Sequence, residues 1–334
     1  INKHEALSDN LINMGCRPNN VGWSARADVE VNGFYAKAEH VDAGKQLINA
    51  FFGAERGNAQ LVELGYNSRG LGGSFTGRRL HRMTQQVYTS NLMYAPSANI
   101  ISYCPAMTAQ HTYMLTTLNP YNPETGTNKL RAGEIGGQLD AFYNFRRGTK
   151  IGGKRGMKVH ANFSTYYTLA QEGTAQAGNL LFRDFSFDIE KQWTKQFKSV
   201  LMYSMQEYNK HHENTGLYIG TSHIVVADLL YKWTPKLSTR MELQYLATKD
   251  DQGDWMAGLL EVNFAPHWSV FASDMWNHGS TKLHYYNAGL SFSMAHLRVA
   301  AGYGRYRAGF ICSGGVCRAI PAYTGANISL TASF

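Results

Sequence analysis

The C-terminal segment alternates strictly between apolar and polar residues, and this two-residue period constrains the fold more than any other feature of the chain. Successive side chains of a β-strand point to opposite faces of its sheet. The segment therefore predicts a strand with one apolar and one polar face. The apolar face carries Phe334, Ala332, Leu330, Ile328 and Ala326, and the polar face carries Ser333, Thr331, Ser329 and Asn327.

The same period recurs along most of the chain. Tyr286, Ala288 and Leu290, for example, alternate with Asn287 and Ser291. Counting such segments predicts about sixteen strands, an even number as in bacterial barrels. The count takes residues 23–40 as one strand with a bulge or a turn inside it, and it includes strands at 100–104 and 111–118.

One strand has an ambiguous phase. In the segment 268–276, Phe271 and Met275 share a side with Ser269 and Ser273. The alternation alone does not decide which side of this strand is apolar.

The connections are sorted by length. Short turns at 194–196, 234–236, 265–267 and 295–296 alternate with longer polar loops at 170–179, 209–221, 249–254, 277–282 and 311–320. A single amphipathic strand suits a soluble sheet as well as a membrane barrel, but a soluble sheet has no reason to sort its connections by end. Short periplasmic turns and long extracellular loops are typical of outer-membrane barrels.

We therefore predict an all-β fold, a transmembrane antiparallel up-and-down β-barrel in the bacterial outer membrane with periplasmic termini. Residues 22–334 form its single domain, after an N-terminal loop or incomplete element at 1–21. Aromatic residues near the strand ends are expected to form the interfacial girdles. These are Trp193, Tyr203, Tyr231, Trp233, Tyr245, Phe264, Trp268 and Phe334.

Composition excludes other classes. No run of eighteen or so apolar residues occurs, which argues against transmembrane helices. The net charge of +8 comes from scattered Lys and Arg that gather at turns such as 146–150 and 154–156. No basic helix or aromatic recognition motif accompanies that charge, so we predict no nucleic-acid partner.

The polar sides of the strands supply the candidate functional residues. Facing acids and bases either orient permeating solutes, as in a channel lining, or form a lattice of ion pairs that stiffens the wall. Both interpretations stay open. The predicted lumen-lining residues are Lys158, His160, Asp184, Asp188, Glu190, Asp228, Lys232, Arg240, Glu242, Glu261 and Arg298.

No catalytic constellation stands out. The arrangement closest to a hydrolase site is His160 with Asn162 and Ser164 on one face, and it lacks an identifiable oxyanion hole. The segment 211–213, His-His-Glu, is a weak metal candidate, because adjacent histidines in a polar loop are usually solvated. We predict no catalytic residues, no metal, no cofactor and no enzymatic activity.

Four cysteines remain. Cys312 and Cys317 flank a short Ser-Gly-Gly-Val loop, and this spacing predicts a disulfide in an oxidising compartment. Cys16 and Cys104 either pair with each other or stay free.

Several stretches resemble an uncharacterised barrel family of Bacteroidota outer membranes. They are Asn32-Gly33-Phe34-Tyr35-Ala36-Lys37-Ala38-Glu39, Leu64 to Gly72, Gln110 to Tyr113 with Leu118 to Tyr121, and Gly133 to Asp140. The resemblance covers roughly residues 25 to 165 and implies the barrel fold and the outer-membrane location. It carries no catalytic residues.

A barrel of about sixteen strands is wide enough for an aqueous lumen unless loops fill it. We expect a porin-like channel for passive passage of small polar solutes. The alternative is a non-conducting structural or scaffold subunit of an outer-membrane complex. Expected partners are outer-membrane lipid and lipopolysaccharide, with other envelope proteins in the second case.

Overall fold

A computed structural model gives the structure of the chain. It describes residues 12–13, 15, 21–47, 54–81, 134–169, 178–209, 219–250, 252–306, 309–313 and 316–332. Helices of a length and apolarity sufficient to cross a membrane do not occur in these ranges.

Nearly all of this part of the chain is β-structure, because apolar and aromatic residues recur at every second position. The strands are β1 (Trp23–Val31), β2 (Phe34–Leu47), β3 (Ala54–Ser68), β4 (Leu71–His81), β5 (Glu134–Phe145), β6 (Met157–Thr168), β7 (Leu180–Gln192), β8 (Phe197–Asn209), β9 (Ile219–Thr234), β10 (Leu237–Thr248), β11 (Trp255–Phe264), β12 (Trp268–Asn277), β13 (His284–Met294), β14 (Leu297–Tyr306), β15 (Gly309–Ser313), β16 (Val316–Ile320) and β17 (Tyr323–Ala332).

Fifteen of these strands form one sheet. Strands β1 to β14 follow each other in sequence order, and β17 pairs with β14. Every pair is antiparallel, for instance β9 with β10 and β13 with β14. The prediction of an all-β, antiparallel up-and-down architecture is confirmed. Strands β15 and β16 form a separate hairpin within the connection from β14 to β17.

The structure corrects the interpretation of residues 23–40 as one strand. They form the β1–β2 hairpin, with Trp23 paired to Asp42 and Val31 to Phe34. Asn32 and Gly33 both have positive φ, 51° and 84°. Two such residues match the tight hairpin turn that suits the strand twist, and Asn-Gly is its preferred sequence.

The predicted strands at 100–104 and 111–118 lie outside the described residues. The sheet continues directly from β4 to β5, with Leu71 opposite Tyr143 and Leu80 opposite Glu134. The main sheet has fifteen strands where about sixteen were predicted.

Connections are sorted to the two ends of the sheet. One end, the short-turn end, carries the turns 32–33, 69–70, 193–196, 235–236, 265–267 and 295–296, together with the longer turn 146–156. The opposite end, the long-loop end, carries the connections 169–179, 210–218, 249–254 and 278–283 and the β15–β16 hairpin. The predicted asymmetry is therefore present except at 146–156, where the short-turn end carries an eleven-residue connection.

Candidate functional site on the inner face of the sheet

The two faces of the sheet differ in chemistry and in burial. On β9, Val225 is 54% exposed, while its neighbours Ile224 and Val226 are 0% and 2% exposed. On β10, Leu243 is 49% exposed and the next-but-two residue, Leu246, is fully buried. Burial is concentrated on one side of the sheet. We therefore call the buried side the inner face and the side of Val225 and Leu243 the outer face.

Register settles the ambiguous strand β12. Phe271 lies opposite Glu261, and Met275 lies opposite Ala257, both on the inner face. Val270 and Trp268 are on the outer face, 48% and 50% exposed. Phe271 and Met275 therefore lie on the inner face.

The cross-strand registers place all eleven predicted lumen-lining residues on the inner face. For example, Lys158 lies opposite Glu190, and Asp228 lies opposite Glu242. Whether these residues line a conducting pathway stays a prediction. The eleven are Lys158, His160, Asp184, Asp188, Glu190, Asp228, Lys232, Arg240, Glu242, Glu261 and Arg298.

A histidine held between two carboxylates is the first charged cluster on this face. His160 on β6 has its Nε2 2.7 Å from Asp140 Oδ2 on β5 and its Nδ1 2.6 Å from Asp188 Oδ2 on β7. Asn162 donates a further hydrogen bond to Asp140 Oδ2 at 3.1 Å. An imidazolium can donate to both carboxylates at once, which ties three neighbouring strands together.

This geometry removes His160 from any hydrolase arrangement. Both of its ring nitrogens face carboxylates, whereas Ser164 lies four residues further along the strand, about 13 Å away at ~3.3 Å per residue. Ser164 instead pairs in register with Asp184. A base so far from a hydroxyl has no means of activating it.

The second charged cluster surrounds Arg240 on β10. Its Nε lies 3.1 Å from Asp228 Oδ1, and its Nη2 lies 2.9 Å from Asp228 Oδ2. The same Nη2 also donates to Glu242, which is nearly buried, with 8% of its side chain exposed. The other Glu242 oxygen accepts from Gln244. One guanidinium thus bridges two carboxylates in the fork geometry that arginine favours.

Other predicted residues have different neighbours. Glu190 binds Lys198 Nζ at 2.8 Å, while Lys158 lies with its Nζ 5.4 Å from the ring centroid of Phe142. Glu261 accepts from Asn263 at 2.7 Å. Lys232 and Arg298 lie near the short-turn end and are exposed.

A buried polar row lies closer to the long-loop end. Asp184 is 1% exposed and Ser164 is fully buried. Ser204 Oγ donates to Asp184 Oδ2 at 3.4 Å, a long hydrogen bond. Asp184 Oδ1 has no partner among the described residues. A buried polar atom without a hydrogen bond costs free energy, so the Asp184 Oδ1 atom lowers the stability that this row provides.

Sequence reasoning missed an apolar cluster on the inner face. It lies at the long-loop half of the sheet, where Leu246 is paired with Ile224 on one side and Trp255 on the other. The Trp255 ring stacks on Tyr285 with 5.9 Å between centroids. The inner face is therefore not polar throughout. The cluster consists of Met202, Ile224, Val226, Leu246, Trp255 and Met275, all at most 7% exposed.

The predicted aromatic girdle residues lie on the outside where the structure describes them. Trp233 is 61% exposed, and its Nε1 donates to Thr239 Oγ1 at 3.0 Å. Trp268 packs against Phe292 beside the turn 265–267. Phe334 lies outside the described residues, and contact of the others with lipid headgroups stays a prediction. The remaining exposed members are Trp193, Tyr203, Tyr231, Tyr245 and Phe264.

Two predictions concern metal binding and a disulfide. The described ranges contain no group of three or more His, Cys, Asp or Glu side chains placed to hold a metal ion. The loop histidines at 211–212 lie outside those ranges. In the β15–β16 hairpin, Cys312 is directly opposite Cys317 in register. This pairing is the backbone arrangement that a disulfide across a hairpin requires, and the bond itself stays a prediction.

These features define a class: an all-β protein with a fifteen-stranded up-and-down antiparallel sheet, apolar on its outer face and carrying charged clusters on its inner face. A family model described as "Family of unknown function (DUF6029)" matches residues 1–334, and the chain belongs to that family.

Other comparisons return remote similarities. None of the curated proteins matches the chain. A triple mutant of the Rhodopseudomonas blastica porin is 10% identical, with 92% of this chain and 88% of that chain covered and a TM-score of 0.39. The FrpB iron transporter from Neisseria meningitidis is 12% identical, with 95% of this chain and 58% of that chain covered and a TM-score of 0.44.

Proposed function

We propose that the chain is an integral β-barrel of the bacterial outer membrane that lets small polar solutes pass passively, as a porin does. In this proposal the short turns and both termini face the periplasm, the long loops face outward, and the outer face contacts lipid and lipopolysaccharide. The resemblance to a Bacteroidota barrel family is in keeping with that location.

One observation carries the proposal. The outer face presents large apolar side chains on strand after strand, among them Leu139, Leu243, Leu260 and Leu330, which are 48–70% exposed. Soluble monomers rarely expose a contiguous apolar surface of more than a few hundred Å². A sheet with this surface needs hydrocarbon around it, and strands cross hydrocarbon only when the sheet is closed.

The inner face supports passage of polar solutes. Its charged residues neutralise one another locally, as Arg240 does with Asp228 and Glu242. A wall of balanced ion pairs keeps water and polar solutes in the lumen without strong selection by sign. Both interpretations of the charges are compatible with this proposal, because one set of ion pairs can stiffen the wall and line it.

Conductance in planar bilayers tests the proposal. Purified protein reconstituted from detergent is expected to give stepwise current increments in potassium chloride. A protein with native strand content by circular dichroism that inserts into bilayers and stays electrically silent would contradict channel function while leaving the barrel intact.

The burial of the inner apolar cluster favours a second candidate function, a non-conducting scaffold. The inner apolar cluster leaves Ile224 and Leu246 with no exposed surface. An open aqueous lumen would wet inward side chains, so complete burial favours a filled lumen at that level and a non-conducting scaffold role. A silent barrel that co-purifies with defined envelope proteins would support this candidate over the channel.

A further inference from the structure

A pocket of about 540 Å³ lies at the short-turn mouth of the inner face. One wall is formed by inward residues of β5, β6 and β7, including Asn144, Lys158 and Glu190, which are consecutive in the cross-strand register. The turn 69–70 and the turn 146–156 form the rest of the rim. The volume is in the range of small-molecule sites.

The charge of this pocket is strongly one-sided. It is lined by five cationic residues and one acidic residue. The acid, Glu190, binds Lys198 at 2.8 Å, so its charge is already matched. Among the described residues no ion pair joins the lining arginines to a carboxylate. The cations are Arg69, Arg146, Arg147, Arg155 and Lys158.

This pattern contrasts with the two charged clusters of the inner face. His160 and Arg240 each lie between two carboxylates. The pocket cations instead line one volume together, and four of them, Arg69, Arg146, Arg147 and Lys158, are exposed to solvent. Like charges gathered without counter-ions repel one another, so a bound anion would relieve this repulsion, most strongly at low salt.

The backbone that carries these cations is well fixed. The Asn144 N–H donates to the Gly70 carbonyl at 2.6 Å, which holds the turn 69–70 against β5. In the turn 146–156, Thr149 Oγ1 donates to the Arg146 carbonyl at 2.8 Å and accepts from the Gly152 N–H at 3.0 Å. Lys191 Nζ donates to the Ile151 carbonyl at 3.1 Å, from β7.

Glycine makes this turn geometry possible. Gly156 has a φ of +84°, and a Cβ there would lie 3.0 Å from the Phe145 carbonyl oxygen. The chain therefore returns into β6 close to the end of β5, which brings Arg155 beside Arg146 and Arg147 on the pocket rim. Binding would require little ordering of the backbone, which favours affinity.

We propose that this pocket binds small multivalent oxyanions, molecules with two or more phosphate or carboxylate groups. Arginine forks match the paired oxygens of both groups, and several forks around one volume select for more than one such group. Because its wall belongs to the inner face, the ligand arrives through water at the lumen mouth. The site is independent of whether the lumen conducts.

Isothermal titration of the full chain in detergent tests the site, with pyrophosphate and citrate as probes. Binding of at least one of them is expected, and it should weaken when the sodium chloride concentration is raised, since salt screens the arginine charges. If neither probe binds, or if binding does not respond to salt, the proposal is wrong.

A matched pair of double variants locates the site. R147Q/R155Q removes two lining charges, and K150Q/K154Q removes two charges from the same turn that do not line the pocket. Loss of even one charge-assisted hydrogen bond to the anion should weaken binding by about tenfold, so the first variant, which removes two such donors, should weaken it by at least that factor. The second should change it less than about twofold, since only long-range charge is lost.

Equal weakening by both variants would mean a diffuse charge effect and would overturn the pocket assignment. Circular dichroism establishes that each variant keeps its strands. This test is independent of the conductance test. Pyrophosphate binding by an electrically silent barrel would support the site, and a conducting barrel that binds neither probe would refute it.

Discussion

Replacing Leu243 by arginine tests whether the outer face lies in lipid. Leu243 is at the middle of β10, 49% exposed, between Ala227 on β9 and Gly258 on β11. In a transmembrane barrel an arginine at the bilayer midplane costs about 2–4 kcal/mol. At an exposed site of a soluble sheet the same change usually stays within about 0.5 kcal/mol.

Ala247 provides the matched control on the same strand and the same face, opposite His223. Four residues span about 13 Å along the strand, or roughly 10 Å along the membrane normal at a tilt near 40°. That displacement carries the side chain from the centre of an apolar band about 25 Å tall nearly to its edge, where arginine costs only about 0–1 kcal/mol.

The measurement is the free energy of unfolding in phospholipid bilayers by guanidinium titration. Leu243→Arg should lower it by about 2–4 kcal/mol and Ala247→Arg by at most about 1 kcal/mol. Equal and small losses for the two variants would refute the reasoning, because a water-facing surface has no depth dependence.

Three further predictions follow from single contacts. Arg240→Gln leaves the nearly buried Glu242 without its cation and should lower the free energy of unfolding by about 1–3 kcal/mol in denaturant titrations. The triple variant D228N/R240M/E242Q should recover most of that loss, because no charge is left unpaired. Gly33→Ala should destabilise more than Gly148→Ala: both glycines have a φ of +84°, but only at Gly33 would a Cβ meet a carbonyl, 2.3 Å from Asn67 O. Iodoacetamide should modify Cys312 and Cys317 only after reduction, and labelling of both in the unreduced protein would contradict the disulfide.

Sequence reasoning succeeded where only one face of a strand is apolar. On β13 the outer residues from Tyr286 to Met294 are apolar or aromatic, and the inner residues from Asn287 to Ser293 are small or polar, so alternation gives the strand and its phase directly. On β9, by contrast, Ile224, Val225 and Val226 are all apolar. Asp228 and Lys232 still give the phase of β9 correctly, but they predict a polar inner side, so Ile224 and Val226 were not expected to form an apolar cluster there. The run itself is the signal that both faces of the strand are shielded from water.

The inner apolar cluster was missed for that reason. Comparable runs occur around Leu246 and from Trp255 to Ala257, and they meet only because the registers bring Ile224, Leu246 and Trp255 into one row. Register depends on the lengths of the connections and on the irregularity at Leu237 and Ser238, neither of which follows from a two-residue period.

The sequence also did not predict which side chains pair across neighbouring strands, because this depends on register too. The period placed His160 and Asp188 on one face, but a shift of the β6–β7 pairing by two residues would keep that face and separate the two side chains. The basic pocket shows this more clearly. The arginines of the turn 146–156 are visible in the sequence, whereas their approach to Arg69 depends on how β4 and β5 pair.

The inner face changes both along and across the strands. From the short-turn end it carries the arginines of the pocket, then the ion-pair clusters of His160 and Arg240, and then the row that includes Leu246. That row is apolar from Ile224 to Trp255 but continues through Ser204, Ser186 and Asn162, so its apolar part covers only the sector of β9 to β11. Within that sector no group replaces the hydration of a polar solute, so removing water from it would cost most there. The two candidate functions therefore differ at one level of the structure. The proposed channel requires water beside Leu246, whereas the proposed scaffold role requires its exclusion.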